Sequence, residues 1–297
     1  MKSYKITWGN HSLELGKRTC VMGIVNVTPD SFSDGGKYNS IDKAVAHGER
    51  LFREGADILD IGGESTRPFS DPVPAGDEIQ RVIPVIRELV RRVPIPVSID
   101  TKKAVVAKEA IAAGASIVND ISAMKADPDM AEIVAKAGVP IVLMHMKGTP
   151  KTMQEAPAYN DLIPDITKFL TEAIAYAQRC GIDKAKIIID PGIGFGKTVS
   201  HNLTLINNLA AFNDLDTPLL IGPSRKAFIR AILKNENSGT INPDSKIAET
   251  GTQAAIAAAI LNGAHIVRVH NAADSRATAD IIDAIKTAGT ELQAITS

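Results

Sequence analysis

Polar side chains gather where apolar runs of the chain end, and their types suit the holding of an anionic, hydrogen-bonding ligand. Asn26, Asp100, the Asn119-Asp120 pair, His145 and Asp190 each close such a run, Thr66 lies just beyond another, and Arg268 with His270 closes the last. On a strand, residues two apart project to one side, so Arg268 and His270 can grip an anion together while Val267 and Val269 face the other way. Arg225-Lys226, after the Gly222-Pro223-Ser224 turn, add two more cations. Each Asp, Asn or Thr taken singly is equally readable as a helix cap. Thr101 is the natural cap of the helix that follows it, which leaves Asp100 without that excuse. Arg268 has a bland reading as the partner of a structural carboxylate, Arg225-Lys226 as a solvated pair, and His145, between Met144 and Met146, as a packed histidine. Seven strand ends aimed at one mouth are harder to set aside than any single member.

Other chemistries find little support. The loop Gly192-Ile193-Gly194-Phe195-Gly196-Lys197-Thr198 approaches a phosphate-binding GxxxxGK[ST] loop, but Pro191 holds the position of its first glycine. Its glycines also miss GxGxxG, so it reads as flexible backbone that lets Phe195 reach over a ligand. The chain has no GxSxG elbow, no HExxH and no His/Cys cluster of zinc-like spacing. His11, His47, His201 and His265 read as surface or helix-edge residues. A hard cation such as Mg²⁺ stays open, because it needs only one or two protein oxygens beside those of a substrate phosphate.

The elements that must position these residues repeat one unit: a helical pattern ends at glycine and a β-branched run follows, as at Gly55, Gly114, Gly138 and Gly263. Continuous Val/Ile/Leu runs mark strands buried on both faces. Eight are predicted, over 20–27, 58–61, 97–100, 117–120, 141–145, 187–190, 218–222 and 266–270. Helical patterns fall between them, among them 41–54 capped by Asn39 or Ser40, 75–93 kinked at Pro84, 102–113 after Thr101, and 246–261. Eight such cycles without a Pro/Ser-rich linker predict one (β/α)₈ TIM barrel over residues 1–297, its core about 18–289, with a doubly wound sheet as the alternative. The first residues read as a short polar segment and the last as a tail. Long βα loops follow strands one, two and five, over 28–40, 62–76 and 146–159, on the face where such barrels build their sites. The stretch 234–244 reads as a bridge within the helical layer.

Composition narrows the function further. The chain has 297 residues, 44% hydrophobic and 23% charged, with no apolar tract long enough to cross a membrane. Lys+Arg 33 against Asp+Glu 34 and only 4% aromatic residues are not the footprint of a nucleic-acid binder. Cys20 and Cys180 are too few for a disulfide framework and read as core residues. With no signal-peptide pattern at the start, a cytoplasmic location is expected.

Two segments, Gly23-Ile24-Val25-Asn26-Val27-Thr28-Pro29-Asp30-Ser31-Phe32-Ser33-Asp34-Gly35-Gly36 and GADILDIGGESTRP at 55–68, carry a resemblance. With the blocks 98–101, 119–120, 189–197, 222–228 and 268–271 in the same order, the chain resembles the dihydropteroate synthases over nearly its whole length. These are folate-pathway transferases that join dihydropterin pyrophosphate to para-aminobenzoate and are targets of sulfonamides. The resemblance implies that Asn26 meets Mg²⁺ and the pyrophosphate, with Arg268 and His270 also on the pyrophosphate. It implies a pterin held by Asp100, Asn119, Asp190 and Lys226, and Thr66 against the pyrophosphate-bearing substrate. Phe32, Arg67, Pro68 and Phe195 would form the para-aminobenzoate pocket. It further implies a homodimer, small-molecule substrates, and catalysis carried by Asp100, Lys226, Arg268 and His270. Two rival readings are a methyltetrahydrofolate–corrinoid methyltransferase, which shares the barrel but has no use for a pyrophosphate grip, and a non-catalytic pterin-binding barrel.

Overall fold

The computed structural model of the chain describes residues 2–28, 37–65, 70–234 and 239–296. Two short strands, β1 (Tyr4–Trp8) and β2 (His11–Leu15), pair antiparallel around Gly9-Asn10. The predicted polar segment is therefore a hairpin. Its alternation places Ile6, Trp8, Leu13 and Leu15 inside and Lys5, Thr7, Ser12 and Glu14 outside. Each fully buried aliphatic side chain of this kind contributes about 2 kcal/mol, so the hairpin is part of the core. It packs beneath the barrel, where Lys2 carbonyl oxygen lies 3.1 Å from His265 Nε2 and Tyr4 stands edge-on to the His265 ring. His265, read as a surface residue, is 1% exposed.

Eight parallel strands follow: β3 (Cys20–Asn26), β4 (Ile58–Gly62), β5 (Val97–Asp100), β6 (Ile117–Asp120), β7 (Ile141–Met144), β8 (Ile187–Asp190), β9 (Leu220–Ile221) and β10 (Ile266–Val269). Each pairs with its neighbours in the order β8-β7-β6-β5-β4-β3-β10-β9. A single bridge between Ile189 and Leu219, whose neighbour Pro218 accepts a hydrogen bond from the Ile189 amide at 2.9 Å, joins the two ends. The sheet is thus a closed (β/α)₈ barrel. β9 is shorter than predicted because the Leu219 amide donates to His265 Nδ1 (3.2 Å) instead of a strand.

The outer layer is α1 (Lys37–Arg53), α2 (Ala75–Arg92), α3 (Ala104–Ala112), α4 (Met130–Ala137), α5 (Leu162–Arg179), α6 (Val199–Asn207), α7 (Ala227–Leu233), α8 (Lys246–Leu261) and α9 (Ala272–Thr296). Helix-ending glycines behave as the sequence suggests: Gly114 (φ +111°) and Gly263 (φ +113°) take the left-handed conformation that turns the chain into the next strand. α2 continues through Pro84 as one helix. α1 starts at Lys37, which puts Asn39 and Ser40 inside it rather than at its cap. α3 starts at Ala104, later than predicted, because Thr101 Oγ1 accepts from the Lys103 amide (3.2 Å) in a local turn. Asp127 from the next loop satisfies the Ala104 amide instead (2.8 Å).

Candidate active site

Strand register builds one side of the site. Asn26 pairs across to Gly62, Gly62 to Asp100, and Asp100 to Asn119, so these four stand side by side at the strand ends. Gly62 leaves the gap in the row: a Cβ there would lie 3.7 Å from Asp100 Oδ2 and 3.8 Å from Asn26 Oδ1. One layer deeper, Asp60 of β4 is fully buried. Its Oδ2 accepts from Arg268 Nε (2.6 Å) and from Asn119 Nδ2 (3.0 Å), while Arg268 Nη2 donates to Asp100 Oδ2 (2.7 Å). Arg268 thus crosses the barrel mouth from β10 and ties three strands together. Its ion pair with Asp60 is the structural partnership foreseen as the bland reading, yet the second half of its guanidinium faces the mouth through Asp100.

The other side comes from β7, β8 and the loops after β8 and β9. Asp190 ends β8 and accepts from the Gly192 amide (2.7 Å). Lys226 Nζ stands 3.9 Å over the centre of the Phe195 ring. His270 Nδ1 lies 2.9 Å from Ser224 Oγ, which fixes its ring beside the turn after β9. His145 is 5% exposed, and its Nδ1 accepts from Lys197 Nζ (3.0 Å), which also donates to the Phe195 carbonyl (3.0 Å). The loop 192–197 is a packed structure rather than flexible backbone. A Cβ on Gly192 would meet the His145 carbonyl at 1.9 Å, and one on Gly196 would meet that of Lys147 at 2.5 Å. The long loop after β7 buttresses it, as Gln154 Nε2 donates to the Gly194 carbonyl and Tyr159 hydroxyl to that of Gly196 (both 2.8 Å). Phe195 accordingly sits in a small apolar cluster with Ile121, Met144 and Met153, 7% exposed.

Burial sets the ionisation of these groups. It pushes Asp190 up to about 6, against the Gly192 amide, Lys197, Lys226 and Arg268, which pull it down. Asp100 rises to about 7, chiefly through burial, with Asp60, Glu78 and Asp120 adding to the rise and Arg268 opposing it. Burial brings Lys226 down to about 8, and Arg268 adds to that effect. His145 falls to about 3 through burial and the Lys197 charge, so its ring is neutral. Acids and bases whose values converge near neutrality in one cleft are the mark of a functional site.

Two residues belong elsewhere. Arg225, in a left-handed turn (φ +59°), points to the outer layer, where it pairs with Asp244 and, at 3.6 Å, with Glu249. It adds no charge to the mouth. Asp120 has the bland role, since its oxygens accept from Ser122 and Met124 amides (2.8 and 2.7 Å) and hold the left-handed Ala123 and Met124. Thr66, Arg67, Pro68 and Phe32 lie outside the described residues. Asp60, Lys197 and Ser224 are site residues that the sequence reading did not single out. A lone carboxylate within the apolar run 58–61 was the available signal for Asp60.

Chemically, the mouth offers carboxylate acceptors (Asp100, Asp190), an amide that donates and accepts (Asn119), and cationic donors (Lys226, Arg268) around one rim. This set suits a planar heterocycle with N–H groups and ring nitrogens that carries an anionic tail. The profile of the Pterin binding enzyme family matches residues 22–270. The Bacillus subtilis dihydropteroate synthase is 46% identical over 278 residues, 94% of this chain and 92% of that protein. The chain belongs to the dihydropteroate synthase family of pterin-binding enzymes. Among solved structures, Xanthomonas albilineans dihydropteroate synthase with 4-aminobenzoic acid superposes with a TM-score of 0.87 at 43% identity, covering 96% of this chain and 99% of that one. The same enzyme in complex with 7,8-dihydropteroate gives 0.83 at 41% identity, over 95% and 98% of the two chains. As a family member this chain is an enzyme of the transferase class, built on the TIM barrel expected from its repeating units. Among the described residues no helix is long and apolar enough to cross a membrane.

Proposed function

We propose that the chain condenses 6-hydroxymethyl-7,8-dihydropterin pyrophosphate with para-aminobenzoate, giving 7,8-dihydropteroate and pyrophosphate. The observation that carries the reading is the rim itself: Asp100, Asn119 and Asp190 from three strand ends and Lys226 from the loop after β9, with Arg268 crossing between them. In this reading Asp190 and Asn119 hold the N–H and amide edges of the pterin, and Lys226 donates to the ring. The C–O bond to pyrophosphate breaks, the methylene carbon becomes a cation delocalised into the ring, and the aromatic amine attacks that carbon and loses a proton. Such a substitution needs stabilisation of both departing charges rather than a protein nucleophile. Arg268 and His270 face the pyrophosphate, and the Asp100 carboxylate steadies the cation. Phe195 with Phe32, Arg67 and Pro68 forms the para-aminobenzoate side, and Thr66 contacts the pyrophosphate-bearing substrate.

A divalent cation fits this mouth. Asn26 Oδ1 flanks the Gly62 gap opposite Asp100, and the Asn26 side chain makes no hydrogen bond among the described residues. No group of three His, Cys, Asp or Glu that could enclose a metal occurs among them. That donor set suits Mg²⁺, which keeps waters and takes substrate phosphate oxygens. When bound through Asn26, the ion would offset the charge of the leaving pyrophosphate. We assign the enzyme to the cytoplasm and to a homodimer, for which the half-exposed apolar residues Ile232, Ile247, Leu261, Ile281 and Ile285 supply apolar surface.

Calorimetric titration with the pterin pyrophosphate tests the site. Asp190→Ala and Lys226→Ala each weaken binding by roughly a hundredfold while melting cooperatively, since each leaves the ligand's buried polar groups unpaired. Binding by both variants within twofold of the parent contradicts the assignment.

A further inference from the structure

Lys197 is the lysine of the loop that falls one glycine short of a nucleotide-binding motif, and the reaction above assigns it no part. It is 3% exposed, and among the described residues its ammonium has two acceptors, both neutral: His145 Nδ1 and the Phe195 carbonyl, each at 3.0 Å. Burying an ammonium among neutral acceptors is costly unless an opposite charge lies near. That charge is Asp190. The Asp190 carboxyl holds the Gly192 amide at 2.7 Å, and a Cβ on the same Gly192 would lie 3.4 Å from Lys197 Nζ. Carboxylate and ammonium therefore meet at one glycine, which has no side chain to separate them. Through the Phe195 carbonyl, Lys197 also fixes the residue whose ring lies under Lys226.

We propose that Lys197 is a positioning residue for the pterin: a buried cation behind Asp190 and Phe195 that keeps the carboxylate ionised and the ring in place. The inference rests on the reading of Asp190 as a pterin contact. The groups facing Asp190 are Lys197 from its own loop, Lys226 from the loop after β9 and Arg268 from β10, with the Gly192 amide. His145, from the end of β7, faces Lys197 and is neutral, so it cannot replace that charge. Burial brings Lys197 down to about 7, and Asp190 stands near 6. Lys197 is therefore charged across the range in which Asp190 would take up a proton. The sign follows: without Lys197, Asp190 is protonated at higher pH.

The experiment measures kcat/KM for the pterin pyrophosphate from pH 5.5 to 8.5, at saturating para-aminobenzoate, for the parent chain, Lys197→Met and Lys197→Gln. Both variants should shift the acid limb upward by about one pH unit, the size of effect expected for loss of one close opposite charge. The loss is then roughly fivefold larger at pH 6 than at pH 8 and falls on KM more than on kcat. Gln keeps a polar group in the buried site and carries the test should Met unfold the loop. Profiles parallel to the parent in both variants, with a uniform loss or none, overturn the role of Lys197. An inactive parent chain overturns the proposed reaction instead.

Discussion

Replacing Asp60 by Asn asks whether charge, rather than shape, holds Arg268 across the barrel mouth. Asp60 is fully buried, and one of its oxygens receives both Arg268 Nε at 2.6 Å and Asn119 Nδ2 at 3.0 Å. The amide has the same volume but offers a neutral acceptor, and its NH₂ occupies the place of the oxygen that has no partner. A hydrogen bond to a charged group contributes about 1.5–3 kcal/mol and a neutral one about 1 kcal/mol. Arg268 keeps its bond to Asp100 at 2.7 Å. The expected loss is therefore about 2 kcal/mol, or roughly 3 °C in Tm at the sensitivity of a chain of this size. Function should fall further than stability. A guanidinium free to swing from its place misaligns the anion grip, and a displacement of about 1 Å costs on the order of a hundredfold in kcat/KM. Differential scanning calorimetry and steady-state condensation rates measure the two effects on one sample. A variant with unchanged Tm and kcat/KM within twofold of the parent refutes the view that Asp60 sets the geometry of Arg268.

Three further outcomes follow from the packing around the mouth. His145 titrates near 6.5 when unfolded and near 3 when folded, so the unfolded chain binds a proton that the folded chain refuses. Its contribution is full above pH 6.5 and is lost as pH falls toward 3, reaching about 2 kcal/mol at pH 5. His145→Phe should thus lose less Tm than the parent between pH 7.5 and pH 5, and an equal or larger loss counts against the neutral buried ring. Gly192→Ala places a methyl group against the His145 carbonyl in a left-handed turn (φ +74°). It should lower both Tm and pterin affinity at least tenfold, measured by calorimetry, and parent-like affinity excludes the close approach. Ile6→Ala in the hairpin empties a site 1% exposed and should cost about 2–5 kcal/mol in denaturant unfolding. A cost below about 0.5 kcal/mol would show that the hairpin is not core.

Strand ends were the legible part of the chain because a buried parallel strand writes a continuous apolar run that stops at its polar residue. β5, β6 and β8 end at Asp100, Asp120 and Asp190 as predicted. Side-chain direction after a turn was not legible: Arg225 and Lys226 are neighbours, yet the left-handed backbone at Arg225 sends one outward and the other to Phe195. Asp60 required register, since its meaning lies in an arginine 208 positions away. Lys197 required the fold of a loop whose glycines look flexible in sequence but are demanded by close carbonyls. The hairpin reads in sequence only as a polar segment, although its signal lies in the alternation of Tyr4–Trp8 and His11–Leu15 about Gly9-Asn10. Its few apolar positions alternate with Lys5, Thr7, Ser12 and Glu14, which give the segment a polar composition.

The most direct test of the account is the product itself. Incubation of the chain with dihydropterin pyrophosphate, para-aminobenzoate and Mg²⁺, followed by mass spectrometry and a pyrophosphate assay, should yield 7,8-dihydropteroate and pyrophosphate in equal amounts. Asp100→Ala should remove both products while retaining a cooperative melt. Binding of the pterin pyrophosphate by the parent chain without any dihydropteroate would contradict the account and leave a barrel that holds pterins without joining them.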